Sequence, residues 1–308
     1  VTARAVRHFL TLRDLSPIEL VCLLDRAEEL KRLRGTSAHP RPLAGKSVAV
    51  LLEKASTRTR ISFEVGISEL GGHAMVLHGR DLQIGRGEPL SDTAHILSGY
   101  LHALVWRTFG HDRLETLAAH AKLPVINALS DDHHPCQLLA DLMAMREAHG
   151  PQLAGRRVAW IGDGNNMAHS WIEAAALLDF ELVLACPENY APKPAILEAA
   201  QGANRGSVRV VRDVAEACAG AHVVTTDVWA SMGQEDEAEA RRQVFASYLV
   251  DEGSMRRADP NAIFLHCLPA HRGEEVAASV IDGPQSRVWQ EAENRLHSQK
   301  ALLELLVA

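Results

Sequence analysis

Short apolar runs of strand length recur along the chain, separated by longer stretches whose apolar residues return at helical spacing. Residues 47–52 (SVAVLL) predict a buried strand, and residues 57–70 a helix. Strands are expected at 74–77, 103–106 and 125–128, with helices at 114–121 and 137–148. The pattern then restarts with a strand at 157–161 and a helix at 167–178. Strands at 182–185, 208–211, 222–225 and 263–266 continue it. Strands alternating with helices specify an α/β fold, a parallel sheet flanked by helices on both faces. A last helix over 288–307 is so rich in leucine that it needs a groove to lie in, and the first domain can supply one.

Two joints interrupt this series: Ala148-His149-Gly150-Pro151 and Gly283-Pro284. They divide the chain into a first domain, 1–148, with the terminal helix 288–308 added to it, and a second domain, 149–287. A length of 308 residues suits two domains better than one. The composition is 47% hydrophobic but only 5% aromatic, so Ala, Leu, Val and Ile must fill both cores. A net charge of -7 without a long basic run argues against nucleic acid as a partner. A small anion remains open, since one cluster of arginines is enough to hold it. The first ten residues show no apolar core and no cleavage site, and no stretch approaches the roughly 20 apolar residues of a membrane helix. The cysteines are Cys22, Cys136, Cys186, Cys218 and Cys267; none form a CxxC pair, so neither a disulfide framework nor a zinc knuckle is expected. A cytoplasmic location follows as the expectation.

The strongest chemical signal is Ser56-Thr57-Arg58-Thr59-Arg60, directly after a predicted strand and opening a helix. A helix start offers N–H groups and partial positive charge, and hydroxyls with guanidiniums there make a phosphate cradle. A plain N-cap followed by surface arginines is the blander alternative. Trp106-Arg107-Thr108 and His133-His134-Pro135-Cys136-Gln137 also fall at carboxyl ends of predicted strands, where ligands of open parallel sheets bind. Taken singly, Arg107 fits a surface ion pair as well, and His134 an ordinary helix start.

In the second half, Gly162-Asp163-Gly164-Asn165-Asn166-Met167 resembles a dinucleotide turn, but Met167 stands where a third small residue belongs. The next strand ends at Cys186-Pro187 and not at an acid, so the turn is read as a polar substrate loop. Asn165 and Asn166 suit a helix cap or a carboxylate. Asp227-Val228-Trp229-Ala230-Ser231-Met232-Gly233 ends another strand, with Asp227 placed to meet an ammonium or merely to cap a turn. The acidic stretch 233–240 reads as a mobile surface loop. His266-Cys267-Leu268-Pro269-Ala270 ends the 263–266 strand, with Cys267 open to a role as a small buried hydrophobe. Arg295, on the last helix, is open to being a surface charge.

In this order, STRTR at 56–60, the Arg107 turn, HPCQ at 134–137 and HCLP at 266–269 resemble the aspartate/ornithine carbamoyltransferase family across most of the chain. The Asp227 segment with Ser231-Met232-Gly233, the HCLPA form and Asn165-Asn166-Met167 are similar to the ornithine branch. The resemblance implies two parallel-sheet domains with the site in the cleft between them, and a homo-trimer whose active sites are shared between subunits. Gln83, in Leu82-Gln83-Ile84-Gly85, is the residue it assigns to a neighbour's phosphate. The implied substrates are carbamoyl phosphate and L-ornithine, joined to give citrulline. Ser56, Thr57, Arg58 and Thr59 hold the phosphate, completed by Arg107 and Gln83. Thr59, Arg107 and His134 face the carbonyl oxygen; Gln137 and the Cys267 and Leu268 carbonyls orient the carbamoyl NH2; Arg295 touches the same ligand. Arg107, His134, Cys267 and Asp227 are the implied catalytic set. Asn166 and Met232 take the α-carboxylate, Asp227 and Ser231 the α-ammonium. No metal and no organic cofactor are expected, since phosphate already leaves readily. The alternatives are a sister transferase for putrescine or an N-acylornithine, a nicotinamide dehydrogenase that leaves STRTR and HPCQ unexplained, and a non-catalytic relative.

Overall fold

The computed structural model describes residues 6–202, 206–230 and 235–308. The chain divides into two compact units, Val1–Ala140 with Asn294–Ala308, and Asp141–Glu293. Among the described residues each unit holds one wholly parallel sheet.

In the first unit the strands are β1 (Ser47–Leu52), β2 (His73–His78), β3 (Ala103–Arg107) and β4 (Val125–Leu129), in the order β2-β1-β3-β4. In the second they are β5 (Arg157–Ile161), β6 (Glu181–Ala185), β7 (Ser207–Val211), β8 (Val223–Thr226) and β9 (Ile263–His266), in the order β7-β6-β5-β8-β9. Burial explains why most of these read as unbroken apolar runs. β3 and β8 are buried at every position, and β1 and β5 at all but the first, because helices cover both faces. The edge strands β2 and β7 alternate with solvent instead. The two other edges are covered by chain: Phe9 exchanges backbone hydrogen bonds with Val125 and Asn127 of β4, and residues 285–287 do so with Phe264 of β9.

Each sheet starts at an inner strand and winds outward in both directions. The winding reverses between β1 and β3 in one unit and between β5 and β8 in the other. Loops leaving the carboxyl ends of those strand pairs turn away from each other, which opens a crevice in each sheet.

The fold contains helices beyond those expected. Pro17–Leu33 begins with a capping box between Ser16 and Glu19 and has Pro17 in its first turn. Its buried Leu20, Leu23, Leu24, Ala27 and Leu30 repeat at helical spacing. The stretch expected to be an acidic loop carries a 3-10 turn at Glu235–Glu237 and a helix at Ala238–Phe245. Residues 233 and 234 lie outside the described residues; from Glu235 onward Arg241 anchors the segment, its buried guanidinium reaching Asp163 at 2.8 Å, the Trp229 carbonyl at 2.9 Å and Glu237 at 3.2 Å.

The last helix, Val288–Val307, packs on the first unit. Arg26 makes a two-pronged pair with Glu304 at 2.8 and 2.9 Å, and Lys31 donates to Asn294 at 2.7 Å. Lys300 is fully buried and donates to Glu69, the last residue of the helix Thr57–Glu69, at 2.7 Å. A Cβ on Gly66 of that helix would lie 3.2 Å from Lys300 Cγ, so glycine sets how closely the two helices approach. Replacing Lys300 with Met should destabilise the protein by about 2 kcal/mol, less than the ~3–5 kcal/mol of a fully buried broken pair, because Glu69 is partly exposed and keeps Arg34. Urea unfolding that matched the parent would show that the helix does not depend on this pair.

Candidate active site

In the first unit, Ser56 is the N-cap of Thr57–Glu69, its Oγ accepting from the Thr59 N–H at 3.3 Å. Thr57 is exposed, Ser56 and Arg58 half-buried, and Thr59 buried. Arg107 is the last residue of β3 and is buried, at a point where the register with β4 slips between Trp106 and Arg107. Such an irregularity re-aims a side chain at the end of a strand. Glu53, just past β1, anchors this turn. Its N–H donates to the Arg107 carbonyl at 3.0 Å, and its carboxylate accepts from Thr108 Oγ1 and, at 2.9 Å, from Arg113. Next to it, Lys54 donates to Asp131 at 2.5 Å, tying the turn after β1 to the loop after β4.

That loop leads to His134, which precedes the helix Pro135–His149 and is buried. The His134 carbonyl accepts from the Gln137 and Leu138 N–H groups, and Pro135 suits the first helical position. Cys136 Sγ donates to the Asn127 carbonyl at 3.3 Å, and burial pushes its thiol up to about 12, so it serves structure and not reactivity. Arg295 is buried, not a surface charge. It donates to Thr59 Oγ1 at 2.9 Å and to Gln137 Oε1, joining the helix Thr57–Glu69 to the HPCQ helix. Burial, then Arg295, Arg107 and Arg58, hold His134 well below the ordinary histidine range. The arrangement is three guanidiniums around a neutral imidazole, a set of hydrogen-bond donors suited to an oxyanion. Gln83 stands apart: it is exposed on the 3-10 turn Gln83–Arg86, with no side-chain hydrogen bond to another candidate among the described residues.

In the second unit, Asp227 follows β8 and is buried. Its Oδ1 accepts from the Val228 N–H at 2.8 Å and from Cys267 Sγ at 3.2 Å, and its Oδ2 from Asn165 Nδ2 at 2.9 Å. Burial and the Asp227 carboxylate push the Cys267 thiol well above its ordinary value, so it stays protonated and donates. His266 fixes the turn that presents Cys267. Its Nδ1 accepts from the Leu268 N–H at 2.9 Å, which leaves Nε2 to donate to the buried Glu275 at 3.1 Å. Leu268 has a positive φ of 58°. Asp227, His266 and Cys267 lie close enough to share a metal ion, but these internal bonds and the protonated thiol leave them poorly suited to one.

The glycine turn serves packing. Gly164 donates to the Tyr190 carbonyl at 2.8 Å, and a Cβ there would overlap the backbone of Ala191 and Pro192. That face of the turn is filled by protein, where a dinucleotide site would need it for a pyrophosphate. Asn166 opens the helix Asn166–Leu178 and is half-buried. Asn165 caps it, as its place at a helix start suggests, and also meets Asp227, a contact that no local feature of the sequence marks. Ser231 and Met232 lie outside the described residues. Glu53, Lys54 and Arg241 did not stand out in the sequence because single charges carry no pattern.

Residues 7–147 match the aspartate/ornithine carbamoyltransferase carbamoyl-P binding domain, and residues 154–306 the Asp/Orn binding domain. The chain is 57% identical to the ornithine carbamoyltransferase of Halorhodospira halophila, over 98% of this chain and 99% of that one. It is 54% identical to the anabolic ornithine carbamoyltransferase of Pseudomonas aeruginosa, over 98% of each. The crystal structure of the ornithine carbamoyltransferase from Pyrococcus furiosus aligns with a TM-score of 0.93 at 45% identity, over 100% of this chain and 99% of that one.

Because its pKa is depressed, His134 favours the fold in its neutral form. That contribution is complete above the unfolded value of about 6.5 and is lost as pH falls through the lower folded value. In imidazole NMR spectra of the free protein, His134 should stay neutral through pH 6.5 and below; half-protonation near 6.5 would contradict this electrostatic picture.

Proposed function

This chain belongs to the aspartate/ornithine carbamoyltransferase family, and we propose that it transfers the carbamoyl group of carbamoyl phosphate to the δ-amine of L-ornithine. The products are L-citrulline and phosphate, and the setting is arginine biosynthesis. The observation that carries the reading is the opposite electrostatic character of the two switch-point sites. One gathers Arg58, Arg107 and Arg295 around neutral His134; the other holds Asp227 between neutral donors.

Ser56, Thr57, Arg58 and Thr59 receive the phosphate at the helix start, and Arg107 adds its charge. Attack by the δ-nitrogen on the carbonyl carbon moves an electron pair onto the carbonyl oxygen. Arg107 and His134 stabilise that oxyanion, and Arg295 keeps Thr59 and Gln137 in place. Collapse breaks the carbon–oxygen bond to phosphate, and the departing phosphate accepts the proton of the attacking amine. Before attack that amine gives up to solvent the proton it carries in water up to about pH 10.4, a loss that nearby positive charge favours. Asp227 takes the α-ammonium, and Asn166 contributes to the α-carboxylate. Ser231 and Met232 complete these contacts by resemblance alone. A cytoplasmic homo-trimer, with Gln83 serving a neighbouring subunit, fits the same reading; among the described residues no helix is long and apolar enough to cross a membrane.

The test is carbamoyl transfer by the purified protein with L-ornithine, N-acetylornithine, putrescine and aspartate in parallel. Turnover with ornithine alone is expected; preference for another amine would overturn the Asp227 assignment and leave the phosphate half standing. Replacing Arg107 with Ala should lower kcat by roughly 10²–10³-fold, and a near-normal rate would remove Arg107 from the mechanism. Light scattering should give three times the chain mass, and a monomer with full activity would exclude a shared site.

A further inference from the structure

We propose that Asn165 is a specificity-determining positioning residue: its one carboxamide both starts the helix Asn166–Leu178 and aims Asp227 at the substrate's α-ammonium. The proposal rests on the reading of Asp227 given above. The geometry fixes which way the amide faces. Its Oδ1 accepts from the Met167 N–H at 2.9 Å and the Ala168 N–H at 3.2 Å, so the end facing Asp227 Oδ2, at 2.9 Å, is the NH2.

The lone pairs of Asp227 then divide unequally. A carboxylate offers about four acceptor sites. Among the described residues Oδ1 already accepts from Val228 N and Cys267 Sγ, whereas Oδ2 accepts from Asn165. The remaining capacity lies on Oδ2, the oxygen that Asn165 orients. Charge points the same way. Among the described residues the donors to Asp227 are an amide, a backbone N–H and a thiol, none of them a cation. The carboxylate of Asp163, which shares its surroundings, is instead paired with Arg241 at 2.8 Å. Among the described residues Asp227 is thus the carboxylate of this strand-end pair without a cationic partner, so it is the one placed to meet a ligand's ammonium.

Ser and Asp are both good N-caps, so N165S and N165D keep the helix start. Serine lacks the amide donor, and aspartate sets a like charge against Asp227. Kinetics of these two variants and of D227N, with thermal melts, form the test. L-Norvaline, which has the α-ammonium and α-carboxylate of ornithine but no δ-amine, serves as an inhibitor that reports on the α end alone. In N165S the KM for ornithine and the Ki for norvaline should both rise about 10- to 100-fold, with the KM for carbamoyl phosphate within about twofold. N165D should rise further. An N165S enzyme with unchanged ornithine KM, while D227N raises it, overturns the proposal. Equal rises in both substrates' KM values with a lowered Tm overturn it too, by assigning Asn165 to folding. If D227N itself leaves the ornithine KM and norvaline Ki unchanged, the assignment of Asp227 falls, and the proposal with it.

Discussion

A parallel sheet that begins at an inner strand must reverse its direction of winding once, and the two strands at that reversal send their following loops to opposite faces. Everything chemical here depends on this constraint. In the first unit the reversal lies between β1 and β3, whose ends carry Ser56–Thr59 and Arg107. In the second it lies between β5 and β8, whose ends carry Asn165 and Asp227. Thr226 Oγ1 even bonds the Ile161 carbonyl across the second reversal at 2.6 Å, fixing the spacing of the two strand ends. Residues roughly 50 or 60 positions apart become neighbours because the backbone has no other way to complete the sheet.

Electrostatics then separates the two places. Burial makes each charge expensive unless it is compensated, and the compensation differs in kind. In the first unit the cations win. Arg107 and Arg295 are buried beside His134, and the imidazole responds by giving up its proton. In the second unit Arg241 takes up Asp163, while Asp227 is held by donors without charge. Cys267 belongs to that set as a donor, since a thiol that near a buried carboxylate does not ionise. One reversal thus suits an anion and the other a cation, which is what a transfer from carbamoyl phosphate to an amino acid requires.

Support for these side chains comes from helices far along the chain. Arg295 lies more than 230 residues after Thr59, yet donates to it directly. Lys300, one and a half turns later, holds the far end of the same helix through Glu69. The last helix therefore grips the helix Thr57–Glu69 at both ends, with the Gly66 contact between them. Its many leucines show that it must be buried, but its polar residues hold the register.

The order of strands and helices, the parallel sheets and the segments STRTR, HPCQ and HCLP were determined by the sequence itself. Periodicity, strand-end position and residue chemistry are local properties, and each is legible within about ten residues. The helix at Pro17–Leu33 was not among the expected elements, although Ser16, Pro17 and Glu19 mark its start locally. Tertiary structure alone decided the rest. It buried Arg295, tied the helix Ala238–Phe245 to Asp163 through Arg241, filled the glycine turn with Pro192 and gave Asn165 its second partner. A hydrogen bond or ion pair between distant residues leaves no period in a sequence. Whether an arginine is a solvated charge or a buried clamp depends on what packs over it, and that is known only once the chain has closed on itself.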